Sequence, residues 1–222
     1  MLILGIDDAG RGPVIGPMVL AGVLVNEEIE KELKKLGVKD SKQLSEKKRD
    51  FLAEAVRNKA ITFEIVVVHP EEIDTSTKNG INLNKVEALA CAKIINRINK
   101  GFEKIKVVVD CPSTNINAWT MLLRSKVKNL SNLEISCEHK ADVNHIAVSA
   151  ASIMAKDIRE KEMSNLRKKY GSEIGSGYSS DPITIMFLKK NLKKYHNHGI
   201  FRKSWATWKV AAGKTEQKKL NV

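Results

Sequence analysis

The sequence predicts an α/β fold in which a mixed central sheet is flanked by helices. Two apolar runs, residues 2–6 and 18–25, stand close together around a turn containing Gly12, Pro13, Gly16 and Pro17. Runs of this kind, joined by turn residues, predict two strands paired as an antiparallel hairpin. Helical and strand patterns then alternate along the chain, which adds further strands and covers the sheet with helices. The first run ends on two adjacent carboxylates, Asp7 and Asp8, followed by Ala9-Gly10-Arg11-Gly12-Pro13.

Residues 27–36 follow as a helix, with Gly37 as its stop signal. Ser45 caps a second helix, with Phe51, Leu52, Ala55 and Val56 on one face. Residues 61–68, with three consecutive valines, form a third strand. Residues 82–99 place Val86, Leu89, Ala90, Ile94, Ile95 and Ile98 at helical spacing, and Cys91 reads as a small packed residue in that helix. Residues 106–110 form a strand that again ends on a carboxylate, Asp110, before Cys111-Pro112-Ser113 stops it. A helix over 115–128 contains Trp119, and residues 133–137 form a short strand. Asp142 then precedes a long helix over 143–169, whose Ala147, Ser149, Ala150, Ala151, Ser152 and Ala155 let another element pack very close. Residues 171–181 read as a loop, Pro182 opens a helix at its favoured first position, and Ser204 caps a last one. Residues 214–222 are a polar, frayed end.

Lys and Arg number 38 against 26 Asp and Glu, a formal charge of +12 with a pI near 9.5. A chain this basic, with carboxylates at its strand ends, suits a polyanionic substrate handled through metal ions. Surplus lysine also serves solubility alone. The three cysteines are widely spaced and form neither a disulfide framework nor a CxxC pair, so a reducing cytoplasm is the expected location. No apolar run approaches the ~20 residues of a membrane span, and Asp7 and Asp8 stand where a secretory signal would have its apolar core.

Two adjacent carboxylates repel unless a positive charge lies between them, and hard Mg²⁺ or Mn²⁺ ions favour carboxylate oxygens. The predicted order puts Asp7, Asp8 and Asp110 at strand ends and Asp142 beside a helix start, so four carboxylates are expected to converge. Asp-Asp alone is as readily a solvated turn. Joined to Gly-Arg-Gly-Pro, which lets a backbone approach a ligand, it reads as a site. His139 and His145 flank Asp142, but hard cations prefer oxygen, so neither is taken as a ligand. Trp119, Trp205 and Trp208 are expected in the core. Lys189, Lys190, Lys193 and Lys194 form either a solvated face or a track for a phosphate backbone.

These motifs resemble one family closely, type 2 ribonuclease H (ribonuclease HII) in its single-subunit form. Its blocks are Gly5-Ile6-Asp7-Asp8-Ala9-Gly10-Arg11-Gly12-Pro13 onward to Met18, Asp40-Ser41-Lys42-Gln43-Leu44, and Val109-Asp110. Then come His139-Lys140-Ala141-Asp142, Ser149 to Ile153 with Ala155-Lys156, Gly175-Ser176-Gly177-Tyr178 with Asp181-Pro182, and Arg202-Lys203-Ser204-Trp205. The resemblance implies a ribonuclease H-like fold, with residues 1–170 as catalytic domain and 171–222 as a C-terminal helical extension packed with it. It implies hydrolysis of the RNA strand of RNA–DNA hybrids, and cleavage 5′ of single ribonucleotides embedded in duplex DNA, with two Mg²⁺ or Mn²⁺ ions. A monomer is expected. By position, Asp7, Asp8, Asp110 and Asp142 would be the catalytic, metal-binding carboxylates. Gly10, Arg11 and Gly12 would contact the ribonucleotide, Tyr178 would pack on the neighbouring sugar, and Lys42 would contact phosphate.

Two departures stand out. The family pattern has Asp-Glu where this chain has Asp7-Asp8, and Ser179 stands where Pro is expected. Aspartate is one methylene shorter, and ~1 Å of misplacement costs about a hundredfold in rate. A weakened or non-catalytic hybrid-binding protein is therefore the alternative reading. A DNA-cutting nuclease of the same broad fold is another. A nucleotide hydrolase is a third, disfavoured by the absence of a Gly-Lys-Ser/Thr loop.

Overall fold

The computed structural model describes residues 1–39 and 44–213. Lys42, the expected phosphate contact, and residues 214–222 lie outside the described residues. The sheet consists of β1 (Leu2–Ala9), β2 (Met18–Asn26), β3 (Thr62–Val68), β4 (Ile105–Asp110) and β5 (Leu133–Glu138), in the order β3-β2-β1-β4-β5. β1 pairs antiparallel with β2, and β2 with β3, so the hairpin forms as expected. β4 joins the other edge of β1 in parallel, and β5 follows in parallel. β1 is therefore the central strand, flanked by an antiparallel and a parallel neighbour. The crevice beyond the carboxyl ends of such parallel strands is where α/β sheets bind ligands.

The helices are α1 (Glu27–Leu36), α2 (Glu46–Lys59), α3 (Pro70–Lys78), α4 (Leu83–Ile98), α5 (Ile116–Lys126), α6 (Ala141–Asn144), α7 (Ile146–Tyr170), α8 (Pro182–Asn191) and α9 (Ala206–Ala211). One sheet face packs Leu4, Ile6 and Val107 against Ile94 and Ile95 of α4 and Leu123 of α5. The other packs Val19, Val23 and Val25 against Leu33 of α1, Leu52 of α2 and Ile153 and Met154 of α7. The small residues of α7 have the partner their size predicts. A Cβ on Gly5 of β1 would lie 2.1 Å from the Ala147 carbonyl carbon, so strand and helix backbones touch. A third cluster, including Val14, Ile15, Phe187, Leu188, Phe201 and Trp208, binds α8, α9 and the chain between them to the loop after β1.

Several local expectations are corrected. α3 was not legible: its sequence PEEIDTSTK has one buried aliphatic side chain, Ile73, and starts on Pro70, with Glu72 accepting the His69 amide at 3.1 Å. The buried face of α2 is Leu52, Ala53 and Val56, while Phe51 is exposed under Lys48. On α4 Leu89 is partly exposed and Glu87 is buried. The long helix is interrupted at His145, whose extended backbone separates α6 from α7. A single 3₁₀ turn, Ser172–Ile174, lies in the loop before α8. Ser204 does not cap the last helix, which starts after Trp205, because Asp74 takes its hydroxyl at 2.6 Å. Trp119 and Trp208 are buried, whereas Trp205 is half-buried outside any helix.

Candidate active site

Asp7 and Asp8 lie where β1 runs out, and the last registered pair to β4, Ile6 with Val109, puts Asp7 and Asp110 next along neighbouring strand ends. Asp7 is buried, with one oxygen accepting the Asp8 amide at 2.7 Å and a hydrogen bond to the Ser152 side chain of α7. Asp110 accepts the Ala141 amide at 2.7 Å, which seats α6 against β4. That contact brings Asp142, buried in the first turn of α6, to the same end of the sheet. The carboxylates are drawn from three separate segments of the chain.

Their electrostatics are strained in one direction. Burial, then the charges of Asp8 and Asp110, push the Asp7 carboxyl well above its ordinary range. Asp8 is raised to about 7 by burial and by Glu87, with Arg11 and Lys156 pulling the other way. Glu87, on α4, is also raised to about 7 by burial, against the opposing pull of Arg11. Ionised together without a counter-charge, these groups cost the fold free energy.

Arg11 is turned onto α4. Its Nε donates to both Glu87 oxygens at 2.9 and 3.1 Å, and a terminal nitrogen donates to the Asn84 side chain. Trp119 holds the Asn84 carbonyl at 2.9 Å. Gly10 has φ +79°, and a Cβ there would fall 2.4 Å from Arg159 Nε, so the fold itself demands glycine. Gly12 differs: among the described residues a Cβ would meet only Tyr178, at 3.8 Å.

Tyr178 is partly exposed, its ring backed by the Arg159 guanidinium at 4.9 Å. Asp181 sets the loop by accepting the Ser176 amide and hydroxyl at 2.7 and 2.8 Å, and Gly177 carbonyl takes the Val14 amide at 2.8 Å. Where Pro was expected, the Ser179 hydroxyl accepts from Thr207 at 2.8 Å, tying the loop to α9.

Asp8, Gly10, Arg11, Gly12 and Tyr178 all line one open cleft of about 450 Å³. Beneath it Asp7, Asp8, Glu87 and Asp110 border a void of about 10 Å³, close to the space one water occupies. His139 and His145 are engaged elsewhere, with the Cys111 carbonyl at 2.9 Å and Glu138 at 2.8 Å. Lys189, Lys190, Lys193 and Lys194 are all exposed.

Sequence reasoning named no role for Glu87, or for Arg49, Lys156 and Arg159, which also line the cleft. Glu87 had a signal, a carboxylate beside Val86, Ala90, Cys91 and Ile94 on the apolar face of a helix. Lys156 stands in a block that carries the family resemblance but was given no role, and Arg49 and Arg159 had no signal, since on an amphipathic helix a basic residue reads as surface.

The model of the family described as ribonuclease HII matches residues 4–208. A ribonuclease HII of Methanococcus maripaludis is 45% identical over 222 residues, covering 99% of this chain and 90% of its own. One of Methanocaldococcus jannaschii is 41% identical, with both chains covered in full. The crystal structure of the ribonuclease H2 from Pyrococcus horikoshii superposes with a TM-score of 0.85 at 34% identity, covering 96% of this chain and 98% of that one.

Proposed function

The chain belongs to the ribonuclease HII family, and from that premise we propose that its cleft hydrolyses the RNA strand of RNA–DNA hybrids and cuts 5′ of single ribonucleotides in duplex DNA. As a family member it is an endoribonuclease. The observation that carries the finer reading is the buried carboxylate cluster beside a glycine loop whose open space ends on a half-exposed tyrosine.

Divalent cations fit this cluster. Its donors are all carboxylate oxygens, the class that Mg²⁺ and Mn²⁺ prefer, and the neighbouring imidazoles are occupied. The raised proton affinity of Asp7 and Asp8 marks a place where added positive charge is stabilising. Among the described residues no group of three stands ready-placed to hold an ion, and Mg²⁺ ordinarily keeps several waters and is bound through only one or two carboxylates. Asp7, Asp8, Asp110 and Asp142 would hold two ions, which when bound neutralise phosphate charge and acidify water.

The chain's own residues account for the rest. Lys156, Arg159 and Arg49 surround the cleft with positive charge and attract a phosphate backbone. Gly12 leaves room for a sugar edge, and Tyr178 offers its ring to a neighbouring sugar. Telling ribose from deoxyribose requires groups that sense a hydroxyl, and backbone amides of the Gly10–Gly12 turn are close enough to line the cleft. Asp8 keeps the charge of the family's glutamate, so nothing in the site favours a binding-only protein.

The test is to incubate a DNA duplex containing one ribonucleotide with Mg²⁺ or Mn²⁺ and map the cut. A ribonucleotide's own 2′-hydroxyl attacks the phosphate on its 3′ side, so a cut on the 5′ side requires an external water. The proposal expects the 5′ cut and an intact all-DNA duplex. A 3′ cut, or cleavage of the all-DNA control, contradicts it.

A further inference from the structure

Arg202 is fully buried, yet among the described residues it makes no contact ion pair, the charges of Asp74, Asp8 and Glu87 reaching it only from a distance. Its donors go instead to backbone carbonyls of the loop after β1. One terminal nitrogen bonds Gly10 O at 2.6 Å, the other bonds Arg11 O at 2.7 Å, and Nε bonds Gly16 O at 3.0 Å. Trp205, stacked on the Arg202 guanidinium at 5.0 Å, donates from its indole to Gly12 O at 3.0 Å. Every carbonyl of the Gly10-Arg11-Gly12 turn is thus held by one short C-terminal segment. That segment is itself anchored, since buried Asp74 accepts the amides of Lys203 and Ser204 at 2.8 and 2.9 Å.

Peptide planarity converts this into a statement about donors. In a trans peptide the N–H points opposite to the C=O of the same unit. No cis peptide occurs among the described residues. Pinning Gly10 O and Arg11 O therefore aims the N–H groups of Arg11 and Gly12 away from Arg202. Neither has an acceptor among the described residues, and both residues line the cleft, which Arg202 does not.

We propose that Arg202 and Trp205 are positioning residues for ribonucleotide recognition: they hold the turn by its carbonyls so that the Arg11 and Gly12 amides face an oxygen acceptor on the ribonucleotide. This rests on the reading of the cleft given above. A fully buried guanidinium is costly where it serves only to staple a loop. Here it works as a rigid fork, fixing two peptide planes that a lysine's single point of attachment cannot fix together.

The measurement is discrimination under turnover: KM for a duplex with one ribonucleotide, against the inhibition constant of the all-DNA duplex of the same sequence added as competitor. Trp205→Phe keeps the ring and removes one hydrogen bond, and Arg202→Lys keeps the charge and removes the fork. Loss of one such bond is expected to narrow the discrimination ratio roughly two- to tenfold in Trp205→Phe, and by more in Arg202→Lys. If Arg202→Lys does not fold, Trp205→Phe alone decides. An unchanged ratio with a lowered melting temperature would overturn the proposal, leaving the two residues as structural staples. A wild-type protein that fails to discriminate overturns the reading of the cleft itself, and the proposal with it.

Discussion

Burial and then Glu87 raise the proton affinity of Asp8, and Arg11 lowers it. A longer side chain at this position would carry its oxygens ~1 Å further from β1. If reach limits metal binding, Asp8→Glu raises the cleavage rate at limiting Mg²⁺ and leaves the saturated rate little changed. Rate against metal concentration for both proteins is the check, and superimposable curves would mean that aspartate already reaches far enough. Tyr178 invites the second residue-scale prediction. Its ring is backed by Arg159 and borders Gly12, so Tyr178→Ala removes the ring proposed to meet a sugar. A stacking contact of ~1–3 kcal/mol gives roughly 5- to 150-fold in rate, more at an isolated ribonucleotide than on a long hybrid, which offers other registers. Tyr178→Phe should be milder. Equal losses on both substrates would leave the ring a mere loop anchor. At this scale the positions of Asp7, Asp8 and Asp110 at strand ends were legible from the apolar runs before them, whereas their reading as a site needed the attached Gly-Arg-Gly-Pro and the family resemblance. The roles of Arg159 and Arg202 were not legible, because their partners are a ring and backbone carbonyls far along the chain.

Among elements, the loop between α7 and α8 is held by Asp181 together with Thr184 and Arg159. Asp181 caps α8 through the Ile183 amide at 2.9 Å and binds Ser176, which in turn receives the Tyr178 amide. These bonds depress its carboxyl to about 2. Asp181→Ala should cost about 0.5–2 kcal/mol as a lost cap, or roughly 2–4 °C per kcal/mol in melting temperature for a chain of this size. It should also impair cleavage at a single ribonucleotide, while Asp181→Asn retains part of both. A variant that melts lower yet cleaves normally would separate the cap from the Tyr178 loop. Strands and helices with strong periodicity were readable from pattern alone, as in β1, β2 and α4. α3 was hidden because its burial comes from its first residue, Pro70, one isoleucine and one aspartate that serves the C-terminal segment. The break at His145 was hidden because no proline or glycine marks it.

At the scale of the whole molecule, the sheet end concentrates negative charge inside a basic protein. Asp8 and Glu87 rise from ordinary values of 3.8 and 4.5 to about 7, so the folded state binds more protons than the unfolded state across that window. Stability therefore falls as pH rises from about 4 through 7 in chelator, because the unfolded chain releases those protons more readily. Saturating Mg²⁺ or Mn²⁺ should flatten the fall, since cations bind only the folded arrangement. Thermal melts from pH 5 to 8, with and without metal, check this, and a metal-free melting temperature that climbs over the range contradicts it. The mixed sheet was legible because apolar runs and helical patterns alternate. The zipping of the C-terminal segment onto the loop after β1 was not, since the Arg202 amide bonds the Val14 carbonyl and the Arg202 and Trp205 side chains end on backbone carbonyls, which carry no side-chain signature of their own.

The proposed trade is that the carboxylates at this sheet end serve hydrolysis at the expense of the fold. It is tested by measuring, on the same preparations of wild type, Asp7→Asn and Asp110→Asn, both the cleavage rate on a ribonucleotide-containing duplex and the melting temperature in chelator. A rate loss beyond the roughly 10–100-fold typical of an outer-sphere metal partner is expected. For Asp7→Asn a melting temperature equal to or above that of wild type is expected too, because the carboxyl that burial and its neighbours' charges disfavour is gone. Near-wild-type cleavage by either variant, or a lowered melting temperature in Asp7→Asn with cleavage retained, would contradict it.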